Sequence, residues 1–105
     1  MTTRRTKPPR GISAEAKKLW KELTDTYDFS PDRLEVLRES CHALTRAQQA
    51  RIALEEYGHT YEDRFGQPKA RPEVAIEHNS RLAFNKLIQS LYLSPEDAGD
   101  LWQSV

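Results

Sequence analysis

The residues that could carry out chemistry in this chain are few. Cys41 is its single cysteine, and a thiol acts as a nucleophile when a neighbouring base or cation lowers its pKa. Cys41 lies four residues after Leu37 and three before Leu44, a spacing that puts all three on one face of a helix. The sequence therefore predicts a core cysteine, and a single cysteine excludes an intramolecular disulfide.

The other reactive side chains form no catalytic or metal-binding pattern. The histidines lie on three separate segments, without the short paired spacings of zinc ligands: His42, His59 and His78. The acidic pairs Glu55–Glu56 and Glu62–Asp63 are adjacent in sequence, and adjacent helical residues point about 100° apart. No GxxxxGK[ST] phosphate loop occurs. We predict a protein that is not an enzyme and that uses no metal or cofactor.

Positive charge is concentrated at the amino terminus. Residues 1–11 contain no acidic residue and four basic ones: Arg4, Arg5, Lys7 and Arg10. The whole chain has a formal net charge of zero, so the remaining body is acidic. With Pro8 and Pro9, this segment is expected to be a flexible, extended arm. Basic residues on such an arm can follow DNA phosphates and release counterions, although a solubilising tail is the alternative.

Two further basic groups follow the arm. The first helix is expected to carry Lys17, Lys18 and Lys21, with Lys17 and Lys21 one turn apart on the same face. These lysines would extend the positive strip of the arm, although Glu15 and Glu22 dilute it. The segment 58–72 carries a second group, which we expect to contact DNA or a partner or to form a solvated loop: Arg64, Lys69 and Arg71. Within this segment Phe65 is expected to anchor the turn by burying its ring.

Hydrophobic spacing and capping signals predict the elements that position these residues. Ser13 can cap a helix from Ala14 to about Tyr27. The run Ser30-Pro31-Asp32 starts a second helix, with the Ser30 hydroxyl as its cap, and Gly58 ends it. This helix of about 27 residues would span about 40 Å, so we expect a partner helix from the same chain or from a neighbour.

The second half of the chain is expected to return to helix after a short break. Weak alternation around Gly66-Gln67-Pro68 indicates a short hairpin or an ordered loop. Pro72 opens a third helix with an apolar stripe that includes Ile76 and Phe84, and Ser94 starts a short last helix carrying Leu101 and Trp102. The predicted core or oligomer contacts are Leu34, Leu37, Leu44, Leu54, Phe84 and Leu87.

The fold class that follows is mainly α: a small helical domain with one long central helix and a hairpin or loop between helices two and three. We expect one oligomerising domain over residues 12–105. Self-association would supplement a small core, because 105 residues with 37% hydrophobic side chains bury limited surface. No apolar run approaches the roughly 20 residues needed to cross a bilayer, and no secretory signal is visible, so we expect a cytosolic protein without membrane contact.

Three stretches resemble the compact helical branch of the phage terminase small-subunit family. They are ISAEAKKLWKELTDTY, the long helix from Ser30, and GHTYEDRFGQPKARPEVAIEHNSRLAFNKLIQSLYLSPED, and together they cover about residues 8–97. The most specific segment is DRFGQPK at 63–69, followed by Pro72. Members of the family often carry a Pro-His-Pro run where this chain has Ala70-Arg71-Pro72, which leaves the role of that loop open.

The resemblance implies a helical subunit that forms a ring-like oligomer in the cytoplasm of the infected bacterial host. Such a subunit would recognise double-stranded phage DNA and work with a separate large terminase subunit that holds the ATPase and nuclease. Two alternatives remain open from the residues alone. One is a dimeric helical DNA-binding regulator, and the other is a helical protein-interaction module that does not bind DNA.

Overall fold

The computed structural model describes residues 7–91, which form three helices and one β-hairpin. The elements follow the chain in this order: α1 (Ala14–Thr26), α2 (Pro31–Tyr57), β1 (Thr60–Glu62), β2 (Pro68–Ala70) and α3 (Pro72–Leu91). The mainly α class and the long central helix are confirmed, and the predicted hairpin or loop is a hairpin. The predicted last helix with Leu101 and Trp102 lies outside the described residues.

The helix ends are set by their capping residues, with one correction. Ser13 caps α1 as predicted, because its hydroxyl oxygen accepts a hydrogen bond of 3.1 Å from the backbone N–H of Ala16. The Ser30 hydroxyl does not cap α2; it donates instead to the Asp32 carboxylate at 2.7 Å, which lowers the pKa of Asp32. Helix α2 still begins there because Pro31 fits the first helical position. Gly58 ends it at a φ of 84°, a value that favours glycine.

The main core lies where α1 packs on the first half of α2 and near the end of α3. Trp20 is 1% exposed and contacts a cluster that includes Leu37 and Cys41, both completely buried. The buried members of this cluster are Ile12, Ala16, Trp20, Leu23, Leu37, Cys41, Ile88 and Leu91. The predicted core residues Leu34, Leu44 and Phe84 are partly buried and pack against it. Leu87 is half-buried.

Beyond this cluster, α2 and α3 continue as an antiparallel pair. Ala47 lies beside Phe84, and Ala50 lies beside Ile76, so the two helices run in opposite directions. The buried residues along this part are small, apart from Leu54: Ala43, Ala47, Ala50 and Ser80. The partner that the length of α2 requires is therefore α3 of the same chain. Within residues 7–91, no helix combines the length and apolar character that crossing a membrane demands.

Ser13 also joins the start of α1 to the middle of α2 through hydrogen bonds. Its backbone N–H donates to the Thr45 hydroxyl at 2.9 Å, and its own hydroxyl donates to the Gln48 side-chain oxygen. Replacing Ser13 by alanine should lower the free energy of unfolding by about 1 to 2 kcal/mol, since a cap and a tertiary hydrogen bond are lost together.

Denaturant unfolding followed by circular dichroism measures this loss. The matched control is Ser90→Ala, because the Ser90 hydroxyl donates to the Leu87 carbonyl within its own helix and is exposed. We expect the control to stay within about 0.5 kcal/mol of the parent chain. If both variants lost the same free energy of unfolding, the hydrogen bonds of Ser13 would not stabilise the packing of α1 on α2.

Candidate nucleic-acid interface

The basic arm enters the fold beside the middle of α2. Lys7 and Arg10 are exposed, whereas Ile12 is 7% exposed and belongs to the core cluster. The hydrogen bond from Ser13 to Thr45 fixes the chain at that point. Arg4 and Arg5 lie outside the described residues. The described part of the arm therefore presents its two basic side chains to solvent directly before α1.

Helix α1 adds exposed charges of both signs, because Glu15, Glu22 and Asp25 balance its three lysines. Lys17, Lys18 and Lys21 are all exposed. Lys21 pairs with Asp25 at 3.0 Å, but both side chains are largely exposed, so the pair contributes little and leaves the ammonium accessible. Within residues 7–91, neither Lys17 nor Lys18 takes part in an ion pair. The arm thus carries unbalanced positive charge, whereas α1 presents its lysines among an equal number of exposed acidic side chains.

The second basic group lies on the hairpin that joins the end of α2 to the start of α3. Strand β1 pairs with β2 in antiparallel register, with Tyr61 opposite Lys69. The turn is fixed by Asp63, whose carboxylate accepts hydrogen bonds from the backbone N–H groups of Phe65 (2.8 Å) and Gln67 (3.0 Å). Gly66 completes the turn at a φ of 77°. The tip of the hairpin is therefore held by polar contacts.

The prediction that Phe65 buries its ring is wrong. The side chain is 78% exposed, because the tip extends past the helices and Asp63 already fixes the turn. The Arg64 guanidinium lies 5.4 Å from the centre of the Phe65 ring. Hairpin residues 59–71 therefore expose an aromatic ring and an arginine at their tip.

The remaining basic residues of the hairpin differ in their accessibility. Lys69 is exposed, whereas Arg71 is half-buried and its guanidinium lies 5.4 Å from the centre of the Tyr57 ring. Glu62 and Asp63 add negative charge next to Arg64. The hairpin therefore has mixed charge, and Arg71 is less available to a partner than Arg64 or Lys69.

The structure does not bring the two basic groups together. The arm reaches α2 at Thr45, whereas the hairpin starts after Tyr57, twelve residues further along the helix. At 1.5 Å per residue, these points lie about 18 Å apart. Helix α1 packs on the opposite half of α2 from the hairpin. The arm with α1 and the hairpin are thus two separate surfaces.

A shallow groove between α2 and α3 was not predicted from the sequence. It has a volume of about 210 Å³ and is lined by Arg46, Gln49, Ala50, Ala53, Glu73 and Ile76. Ile76, predicted on the apolar stripe of α3, is 44% exposed because the facing α2 residues are alanines and are too short to cover it. The spacing of Ala43, Ala47 and Ala50 on α2 is the sequence signal that could have indicated this part of the helix pair.

The structure gives Cys41 no catalytic setting. The side chain is completely buried, its sulfur lies 3.6 Å from the Ala16 carbonyl oxygen, and burial raises the pKa of the thiol to about 11. This confirms the prediction of a core cysteine. Nowhere in residues 7–91 do three potential metal-binding side chains cluster closely enough to hold an ion.

The raised pKa of Cys41 predicts a loss of stability at alkaline pH. The unfolded thiol ionises near its ordinary pKa of 9.0, whereas the folded thiol stays protonated up to about 11. The contribution is therefore fully present below pH 9 and is lost as the pH rises from 9 to 11. We expect this group to remove up to about 2 kcal/mol from the free energy of unfolding over that interval.

Denaturant unfolding of the parent chain and of Cys41→Ala, at closely spaced pH values from 8 to 11, isolates this contribution. The variant shares the titration of every lysine and tyrosine, so the difference between the two curves belongs to the thiol. The gap between parent and variant should narrow as the pH rises. A gap that stays constant would show that the thiol ionises equally in both states.

Residues 7–91 thus form a small helical protein with exposed basic side chains before α1 and a separate hairpin between α2 and α3. The model of the family described as phage terminase, small subunit, matches residues 13–103. The chain therefore belongs to the phage terminase small-subunit family, which points to a role in phage DNA packaging. Searches of the curated proteins and of the solved structures each give no match.

Proposed function

We propose that this chain is a non-catalytic small terminase subunit that binds double-stranded phage DNA, assembles into a ring-like homo-oligomer and presents the DNA to the large terminase subunit. The observation that carries the proposal is the basic arm, whose described residues Lys7 and Arg10 are exposed, before a body of opposite net charge. Because the large subunit would supply the ATPase and nuclease, this chain needs no catalytic group. The proposed site of action is the cytoplasm of the infected bacterial host.

The DNA-binding step would depend mainly on phosphate contacts. Lys7, Arg10, Lys17 and Lys18 are exposed and lie on consecutive segments of the chain. Arg4 and Arg5 add two charges in the sequence before them. Contacts of this kind position a protein on DNA and release counterions without reading the bases. Any choice of sequence would then come from DNA shape as much as from base contacts.

Assembly is supported by apolar surface that the single chain leaves uncovered. Among residues 7–91, the most exposed large apolar side chains are Phe65 at 78% and Ile52 at 60%. The chain has a radius of gyration of 16.8 Å, larger than the roughly 13 Å of a compact domain of this length. An oligomer would cover part of this surface. It would also tether several arms together, so that weak phosphate contacts act at a high effective concentration.

The experiment that tests the proposal is a measurement of solution mass by light scattering, with and without duplex DNA, at low and moderate salt. We expect an oligomer larger than a dimer and a DNA complex that dissociates as salt is raised. A dimer that binds DNA would instead support a helical regulator. A monomer or dimer that does not bind DNA would contradict the proposal and would favour a protein-interaction module.

A further inference from the structure

The tip of the hairpin has the properties of an anchor for another protein surface. Phe65 exposes 78% of its surface, and the hydrogen bonds of Asp63 hold the backbone on both sides of it. A large aromatic side chain held in this way loses little conformational entropy when it enters a pocket, and aromatic and arginine side chains dominate the energetics of interfaces. Arg64 lies against the ring and supplies a positive charge beside it.

The groove between α2 and α3 has the complementary properties. Its apolar lining comes from Ala50, Ala53 and Ile76, and its volume of about 210 Å³ exceeds the roughly 150 Å³ that suffices for a benzene ring. Glu73 lines the same groove, and one of its carboxylate oxygens is buried without a hydrogen-bond partner. The Nε atom of Arg71, two residues before Glu73, is likewise buried without a hydrogen-bond partner.

The charges of the two surfaces also match. Arg64 at the tip is opposite in sign to Glu73 in the groove, and Glu62 on strand β1 is opposite in sign to Arg46 on the groove rim. Arg71 lies near Glu73 in sequence, but its guanidinium lies over Tyr57, and within residues 7–91 no ion pair joins Arg71 to Glu73. Glu73 as a residue is half-buried and forms no ion pair within residues 7–91, so its carboxylate can pair with a cation of a second molecule.

We propose that the hairpin tip of one copy of this chain docks into the α2–α3 groove of a second copy, with the Phe65 ring against Ala53 and Ile76 and the Arg64 guanidinium on the Glu73 carboxylate. The occupant is a second copy because both complementary surfaces belong to one sequence. The inference rests on the proposed function in one respect, namely that the chain assembles.

This contact joins two different surfaces, so it is heterologous. Each copy offers one tip and one groove, and each can therefore bind two neighbours. Heterologous contacts generate a closed ring when the rotation between neighbours closes, and an open filament when it does not. A symmetric dimer would instead bring the same patch of both copies together.

Solution mass as a function of concentration tests the contact on the full chain. Phe65→Ala should weaken association by at least about tenfold. At concentrations where both chains are monomeric, the melting temperature should stay at the parent value, because the exposed ring lies outside the core cluster. The matched control is Leu82→Ala, which also removes an exposed apolar side chain, 46% exposed and outside the groove lining. The control should retain the parent mass.

Charge reversal tests the proposed ion pair. Arg64→Glu and Glu73→Arg should each weaken association, and the double variant should restore at least part of it, because the two charges attract again with their positions exchanged. A double variant that associates no better than either single variant would contradict the pairing of Arg64 with Glu73.

Mixing two variants tests the heterologous geometry. Phe65→Ala keeps an intact groove, and Ile76→Arg keeps an intact tip while placing a charge in the groove. Each alone should be mainly monomeric. The equimolar mixture should form dimers and nothing larger. The intact tip of the Ile76→Arg chain binds the intact groove of the Phe65→Ala chain, and the two altered surfaces bind no further copy. A mixture that stays monomeric while the parent chain assembles would overturn the inference.

The failure of this inference is distinguishable from the failure of the proposed function. A parent chain that is monomeric at every concentration contradicts the proposed assembly itself. A parent chain that assembles, together with Phe65→Ala and Glu73→Arg variants that assemble equally well, leaves the proposed function intact and overturns only the docking of the hairpin in the groove.

Discussion

Replacing Trp20 by alanine is expected to lower the free energy of unfolding by about 3 to 5 kcal/mol. The Trp20 side chain is 1% exposed and lies in the cluster shared by α1, α2 and α3. The Arg38 guanidinium also lies 5.7 Å from the centre of the indole ring. Small domains have a total stability of about 5 to 15 kcal/mol, so this loss removes a large fraction of it.

Thermal and denaturant unfolding followed by circular dichroism measure this effect. Leu82→Ala is the matched control, because Leu82 lies on α3 at 46% exposure outside the core cluster, and its truncation should cost less than about 1 kcal/mol. Trp20→Phe should give an intermediate loss, since part of the apolar surface remains. A Trp20→Ala variant that unfolds like the control would show that α1 does not pack on α2 and α3 as described.

Removing the charges of the arm is expected to weaken DNA binding by on the order of a hundredfold at moderate salt. The variant replaces four residues by alanine: Arg4, Arg5, Lys7 and Arg10. If all four contact phosphates, the slope of log Kobs against log salt becomes shallower by up to about 3.6 for each bound arm. Folding and assembly should be unchanged, because Lys7 and Arg10 are exposed and lie before the first core residue, Ile12.

Fluorescence anisotropy with a labelled duplex, repeated over a range of salt concentrations, measures both quantities. The control variant changes Arg4, Arg5 and Arg10 to lysine, which keeps the charge and removes the planar guanidinium. Nearly parental affinity in this control indicates that charge is what the DNA requires. Unchanged binding by the alanine variant would exclude the arm, and a Lys17, Lys18 and Lys21 alanine variant would then test the surface of α1.

The local elements could be predicted from the sequence because their signals are local. A capping hydroxyl at Ser13, a proline at the first position of α2 and a glycine at its end act within one helical turn, so they specify helix boundaries without tertiary information. The spacing of Leu37 and Cys41 likewise predicted that both are buried. The family resemblance was visible in the same way, because it is carried by contiguous stretches of residues.

Other features were decided by the tertiary structure, because each depends on residues far apart in the chain. Which helix would cover α2 could not be read from α2 itself, and the structure shows that α3 does so through a seam of small residues including Ala47 and Ala50. The Phe65 ring, expected to be buried, is exposed because no helix or strand among residues 7–91 covers the hairpin tip. The separation of the hairpin from the arm follows from the length of α2.

The sequence by itself determined the helices, the charge of the arm and the absence of a recognisable catalytic motif, since these follow from residue types and their short-range spacing. The tertiary structure decided which apolar side chains remain uncovered and where Glu73 and Arg64 lie, because burial depends on packing between distant segments. The positive charge of the arm could thus be predicted from composition, whereas the groove exists only once α2 and α3 have packed together.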